Sequence, residues 1–220
     1  MRITDGPNYY MQYKDILVHR IYHFESSRPD PIILDAGGNM GMSLLYFKHI
    51  YPEARVISFE PDPAIFAILQ DNVNRNEFNG VQLVNAALST QTGTANFSPD
   101  QSAGGHLSSG EGTFKVKTVP LSDYLNEPVD LLKMNIEGVE WEVMSSIENK
   151  IRQVREMVIE YHHLPGLRRT LHLILELLHR HGFEYMINDF DSETNSGVKT
   201  PFHIDQNSSY FLLVYAKRID

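Results

Sequence analysis

Apolar runs of strand length alternate along this chain with segments of helical period, and that alternation restricts the fold more than any other feature. PIILDA, RVISFE, VQLVNAAL, DLLKMNIE and REMVIEY read as strands. MSLLYFKHIY, PAIFAILQDNVNRN, VEWEVMSSIENK and LRRTLHLILELLHRH read as helices between or after them. Continuously apolar strands separated by helices predict a parallel sheet covered on both faces. The last two strands, FEYMIND and SYFLLVYAK, have no helix between them, which predicts an antiparallel arrangement at that end. Two segments break the rhythm. NYYMQYKDILVHRIYHF is helical in period and predicts an N-terminal helical cap within residues 1–30. TANFSPDQSAGGHLSSGEGTFKVKTVP predicts a hairpin with a long polar loop, inserted over residues 94–119. With 220 residues the chain is expected to form one α/β domain over residues 1–220.

Composition narrows the function classes. There is no cysteine, so disulfides and thiolate metal sites are excluded. A net charge of −9 disfavours non-specific nucleic-acid binding, which relies on clustered Lys and Arg. The first residues lack the apolar core of a signal peptide, and no apolar run approaches the roughly 20 residues of a membrane span. A cytoplasmic protein with no membrane span is the expectation.

The densest signal is ILDAGGNMGMSLLYF. A strand, a glycine turn and a helix in that order bring helix N–H groups against a polar or anionic ligand. Asp35 ends the strand, where it is placed to accept from an ammonium or to order the turn. Gly37 and Gly38 permit close approach to the backbone, and Gly41 lets the helix start near the sheet. Such a turn can be purely structural. Glu60, ending the next strand, tips the reading toward a nucleoside ligand, because a carboxylate there can accept from two ribose hydroxyls.

ILDAGGNMG, SFEPDP and DLLKMNIEGVEWEVM together resemble the FkbM-type methyltransferases, over roughly Pro31 to His163. The resemblance implies a Rossmann-like, seven-stranded, mostly parallel sheet with an antiparallel last strand and helices on both faces. It also implies S-adenosylmethionine as cofactor and methyl transfer to a hydroxyl of a small molecule, sugar or natural product. By the same resemblance, Asp35, Gly37, Asn39 and Gly41 surround the amino-acid end of the cofactor, and Ser43 donates to its carboxylate. Glu60 binds the ribose, Pro61 and Asp62 border the adenine, and Asn85, Ala86 and Ala87 contact its edge. The implied partner is a small-molecule or glycan acceptor, without nucleic acid; a homodimer is left open.

In KMNIEG, Lys133, Asn135 and Glu137 share one face by the period-two rule. A lysine in a central strand needs a buried partner, and Asp35 and Glu160 are the candidates. The family usually carries aspartate where this chain has Asn135, which puts a base or metal role there in question, while cofactor contact survives better because Asn still donates and accepts. A hydroxyl acceptor must give up a proton, so a His or carboxylate is expected beside it. His162, in VIEYHH, is the first choice of base, with Glu160 on the same face; Glu137 also faces the site. His106, in the polar loop, is second. His19 and His23 have a zinc-compatible spacing but no evident third ligand, and no metal is expected. Tyr9, Tyr10, Tyr13 and Tyr22 either wall an acceptor or anchor the cap. Two rivals remain: a cofactor-binding module without catalysis, and a methyltransferase acting on nitrogen.

Overall fold

The computed structural model describes residues 1–99, 105–107, 114–188, 205 and 207–219. Helix α1 (Gly6–Gln12) runs into a π-helical turn, Tyr13–Val18. Then follow β1 (Ile32–Ala36), α2 (Met42–Ile50), β2 (Arg55–Phe59), α3 (Pro63–Arg75) and β3 (Val81–Val84). Strands β4 (Ala87–Ser89), β5 (Gly93–Pro99), β6 (Gly105–Leu107) and β7 (Phe114–Pro120) come next. The chain ends with β8 (Val129–Met134), α4 (Glu140–Ser146), β9 (Val154–His163), α5 (Leu171–Arg180), β10 (Phe183–Asn188) and β11 (Tyr210–Arg218).

The main sheet has seven strands in the order β10-β11-β9-β8-β1-β2-β3. Strands β3, β2, β1, β8 and β9 pair in parallel, as the apolar runs predict. Strand β11 is antiparallel to both neighbours and is not an edge; it lies between β9 and β10. Alternation along the strands divides the core. Ile33, Leu131, Val158 and Leu213 face α2 and the N-terminal residues Tyr22 and Phe24. Leu34, Leu132, Met134, Ile159 and Val214 face α4 and α5 on the other side.

Three expectations need correction. VQLVNAAL is two strands, not one: β3 belongs to the main sheet and β4 pairs with β7 in a second, four-stranded sheet. The break falls at Asn85, whose side chain donates to the carbonyls of Glu60 (2.8 Å) and Pro61 (3.2 Å). The N-terminal segment is helical only to Val18, because Arg20 adopts φ 57° and Ile21, Tyr22 and Phe24 then bury against the core. Strand β8 stops at Met134, so Glu137 is placed by a turn with φ 58° and not by strand alternation. The inserted segment does pair, with β5 antiparallel to both β6 and β7. Residues 101–104 and 108–113 of the expected polar loop lie outside the described residues.

Candidate active site

The turn after β1 is built by internal packing. A Cβ on Gly37 (φ 85°) would meet the Asn135 carbonyl oxygen at 1.9 Å, and one on Gly38 would meet Ser58 Oγ at 2.1 Å. These glycines let β8 and β2 close on the turn. Gly37→Ala is therefore expected to cost about 1–3 kcal/mol from the left-handed backbone alone, with the clash added. A thermal denaturation midpoint within a degree of the parent would refute this.

Asp35 is fully buried beneath the turn. Its Oδ2 accepts from Ser43 Oγ (2.9 Å) and Ser58 Oγ (2.8 Å), and its Oδ1 lies 3.3 Å from Lys133 Nζ. Strand register explains the ion pair, since Asp35 and Lys133 are direct cross-strand partners. Lys133 also donates to the carbonyl of Gly37 (2.5 Å) and sits 5.3 Å from the Tyr22 ring centre. Asp35 thus orders the turn from below, and the Ser43 hydroxyl is committed to Asp35, not to an external carboxylate.

On the open side, Asn39 is left-handed (φ 47°) and its N–H donates to Glu60 Oε2 at 2.9 Å. Glu60 Oε1 accepts from the Asp62 N–H at 2.9 Å. Asp62 caps α3 by accepting from the N–H groups of Ala64 and Ile65, and Pro63 opens that helix. Gly41 (φ 95°) is the N-cap residue of α2. Burial pushes the Glu60 carboxyl up to about 7, against the Asp62 and Asn39 N–H groups that favour its charge. Ala86 is buried, and Ala87 packs with Phe97 and Val116 in the second sheet, so neither side chain borders open space.

A second polar group crosses the ends of β8, β9 and β11 on the same sheet face. Asn135 Nδ2 donates to Glu160 Oε2 at 2.9 Å, and the Tyr22 hydroxyl donates to Glu160 Oε1. A carboxylate at position 135 would face Glu160 with like charge; the amide instead supplies the donor that Glu160 needs. Asn135 Oδ1 is buried and, among the described residues, has no hydrogen-bond partner.

His162 stands one alternation beyond Glu160. Its Nδ1 lies 3.2 Å from Glu140 Oε1 and 3.1 Å from the Glu160 carbonyl oxygen. Its Nε2 lies 3.6 Å from Glu137 Oε2. Phe211, its cross-strand partner, stacks on the ring with centroids 5.9 Å apart. Burial opposes charge on the ring, but the hydrogen bond to Glu140 and the charges of Glu137, Glu140 and Glu160 outweigh it, and the pKa rises to about 9.

These groups open onto a cavity of about 220 Å³. Asn135, Glu137, Glu160, His162 and Phe211 form its floor. The N-terminal segment forms its roof, with Gln12, Asp15 and Tyr22 as polar lining and Ile16 and Ile21 as apolar lining. Of the N-terminal tyrosines, Tyr22 is buried in this wall, whereas Tyr10 and Tyr13 are exposed. His23 bonds the Tyr46 hydroxyl and His19 pairs with Asp15, and the described residues hold no group of metal-ligand type. His106 lies in β6 opposite Ser98; its side chain is outside the described residues. Glu140 was missed as a site residue by sequence reasoning, and for Tyr22 the bond to Glu160 was not foreseen. The acid three residues after Glu137, opening a helix, was the available signal for Glu140.

The methyltransferase FkbM domain matches this chain over residues 35–185. The chain belongs to the FkbM methyltransferase family. Methyltransferase sdnD of Sordaria araneosa is 28% identical over 74% of this chain and 79% of its own length. The 2-O-methyltransferase NoeI of Sinorhizobium fredii is 28% identical over 73% of this chain and 76% of its own. The 31-O-demethyl-FK506 methyltransferase FkbM of Streptomyces tacrolimicus is 28% identical over 78% and 80%. Among solved structures, methyltransferase FkbM from Methylobacillus flagellatus superposes with a TM-score of 0.57 at 17% identity over 87% of this chain. This chain spans only 45% of that one, and the likeness is one of fold. As a member of the FkbM family, the protein is an S-adenosylmethionine-dependent methyltransferase. No helix among the described residues is long and apolar enough to cross a membrane.

Proposed function

We propose that this FkbM-family enzyme methylates a hydroxyl of a sugar or other small molecule held in the cavity beside His162. The observation that carries the reading is the placement of a histidine, oriented through one nitrogen, with its other nitrogen on the cavity side at the ends of the central strands. The names of the relatives from Sinorhizobium fredii and Streptomyces tacrolimicus, both oxygen methyltransferases, support an oxygen acceptor.

S-adenosylmethionine supplies a methyl group on a sulfonium, displaced in line as the carbon–sulfur electron pair leaves with sulfur. The residues present fit such a group. Asn135 Oδ1 is a buried acceptor awaiting a donor. Glu60 accepts one backbone N–H on each oxygen, which leaves lone pairs for hydroxyls. Glu60 would hold the ribose and Asn39 the turn around the amino-acid end, with Asp62, Pro61 and Asn85 shaping the adenine side. Glu137 and His162 meet the acceptor, and Nε2 of His162 takes the hydroxyl proton.

Glu60 yields an expected pH dependence. Its folded pKa is raised, so the stability it contributes is present at low pH and lost as pH rises through about 7. Hydroxyl donors favour the charged carboxylate, so cofactor affinity should tighten over the same window. Glu60→Ala should weaken binding by about 1–3 kcal/mol, and Glu60→Gln should flatten the pH dependence. Calorimetry at pH 6 and 8 checks both; equal affinities across variants would reject the ribose role. Turnover with an acceptor panel, followed by assignment of the methylated atom, tests the function itself: methyl on nitrogen, or no transfer, rejects it.

A further inference from the structure

Glu140 is 1% exposed at the first position of α4. Its Oε1 accepts the Gly138 N–H at 3.0 Å and meets His162 Nδ1 at 3.2 Å. The second neighbour of Nδ1 is the Glu160 carbonyl oxygen, at 3.1 Å. A carbonyl can only accept, and so can a carboxylate. Nδ1 must therefore carry hydrogen, and any lone pair of the neutral ring resides on Nε2. That nitrogen lies on the side of Glu137, which with His162 lines the cavity. Phe211 against the ring and the carbonyl bond within β9 hold its rotation.

We propose that Glu140 is the positioning residue of this site: its buried carboxylate, together with the Glu160 carbonyl, fixes the Nδ1–H tautomer of His162 and aims Nε2 at the acceptor hydroxyl. This rests on the reading of His162 as the proton acceptor. Three acids face the ring: Glu137 from the turn after β8, Glu140 from α4, and Glu160 from β9 itself. Strand β11 contributes the apolar Phe211, and the N-terminal roof contributes Asp15 and Tyr22 to the shared cavity. No Lys or Arg lines that cavity among the described residues. Glu140 differs from the other acids in reaching the nitrogen turned away from the cavity, so it can act on the ring without competing for the acceptor.

The test is a nitrogen-detected NMR titration of His162 in the full chain, compared across wild type, Glu140→Gln and Glu140→Ala, with pH–rate profiles alongside. Glu140→Gln preserves shape and removes charge. The His162 titration should fall by about one to two pH units, and the rising limb of turnover should move with it, while cofactor affinity holds. Glu140→Ala should lower the titration at least as far, with the Glu160 carbonyl still holding hydrogen on Nδ1. A loss of thermal stability with an unmoved titration and an unmoved limb would show a merely structural role and overturn the proposal. If the titration shifts but His162→Ala keeps full turnover, the base assignment fails, and the positioning role falls with it while the measured coupling identifies why.

Discussion

His162→Ala is expected to lower turnover by about 10²–10⁴-fold, the usual contribution of a positioned general base, with cofactor affinity nearly unchanged. The pH dependence sharpens the test. The ring's folded pKa is raised to about 9, so its charged form dominates at neutral pH and the neutral base appears only as pH climbs through that value. At pH 7 the neutral fraction of such a group is about one in a hundred. Wild-type turnover should therefore climb roughly tenfold per pH unit through the neutral range and level off near pH 9, while the residual activity of the variant should be flat. His106→Ala should cost less. A flat wild-type profile, or a larger loss in His106→Ala, would move the proton elsewhere.

Lys133→Ala should have the largest effect on stability, about 3–5 kcal/mol, the cost of leaving a buried charge without its partner. Asp35 is fully buried, and its remaining contacts, Ser43 and Ser58, are neutral. The carbonyls of Ala36 and Gly37 lose their cationic donor as well. The double change Asp35→Asn with Lys133→Met should recover much of the loss, because neither charge then stays behind. Urea unfolding of the parent and the two variants reads this directly; a Lys133→Ala variant as stable as the parent would contradict the buried pairing.

Much of the scaffold was legible because strands buried on both faces have little choice of composition. PIILDA, RVISFE and DLLKMNIE announced β1, β2 and β8, and the family blocks announced the order of glycine turn, Glu60 and the Asn135–Glu137 segment. The burial of Lys133 followed from its place in a central strand, and the strand register then chose Asp35 over Glu160 as its partner. What stayed hidden depends on contacts across space. Tyr22 meets Glu160 from 138 residues away, and no period in the sequence links them. Glu140 reads as an ordinary acid in a first helical turn, and only the fold brings it under His162. The glycines were read for a ligand, and that the Asn135 carbonyl and Ser58 hydroxyl fill the space a side chain would need was not foreseen. The π-helical turn at Tyr13–Val18 has the same apolar spacing as an α-helix at this length, so its wider winding left no trace in the pattern.

The position of β11 has a consequence for how this chain is made. Strand β11, the last element, completes the sheet from inside, between β9 and β10. As synthesis runs from the N-terminus, β10 emerges before Tyr210–Arg218, its pairing partner among the described residues. The five parallel strands can assemble earlier, but Leu213 and Val214 of both core layers, and the ring that steadies His162, arrive together at the end. Contacts of such long sequence separation form slowly. A nascent chain stalled before Tyr210 would carry a half-built sheet with β9 exposed as an open edge, a surface that invites pairing with another chain. Deleting Tyr210–Arg218 should therefore cost the fold on that side of the sheet.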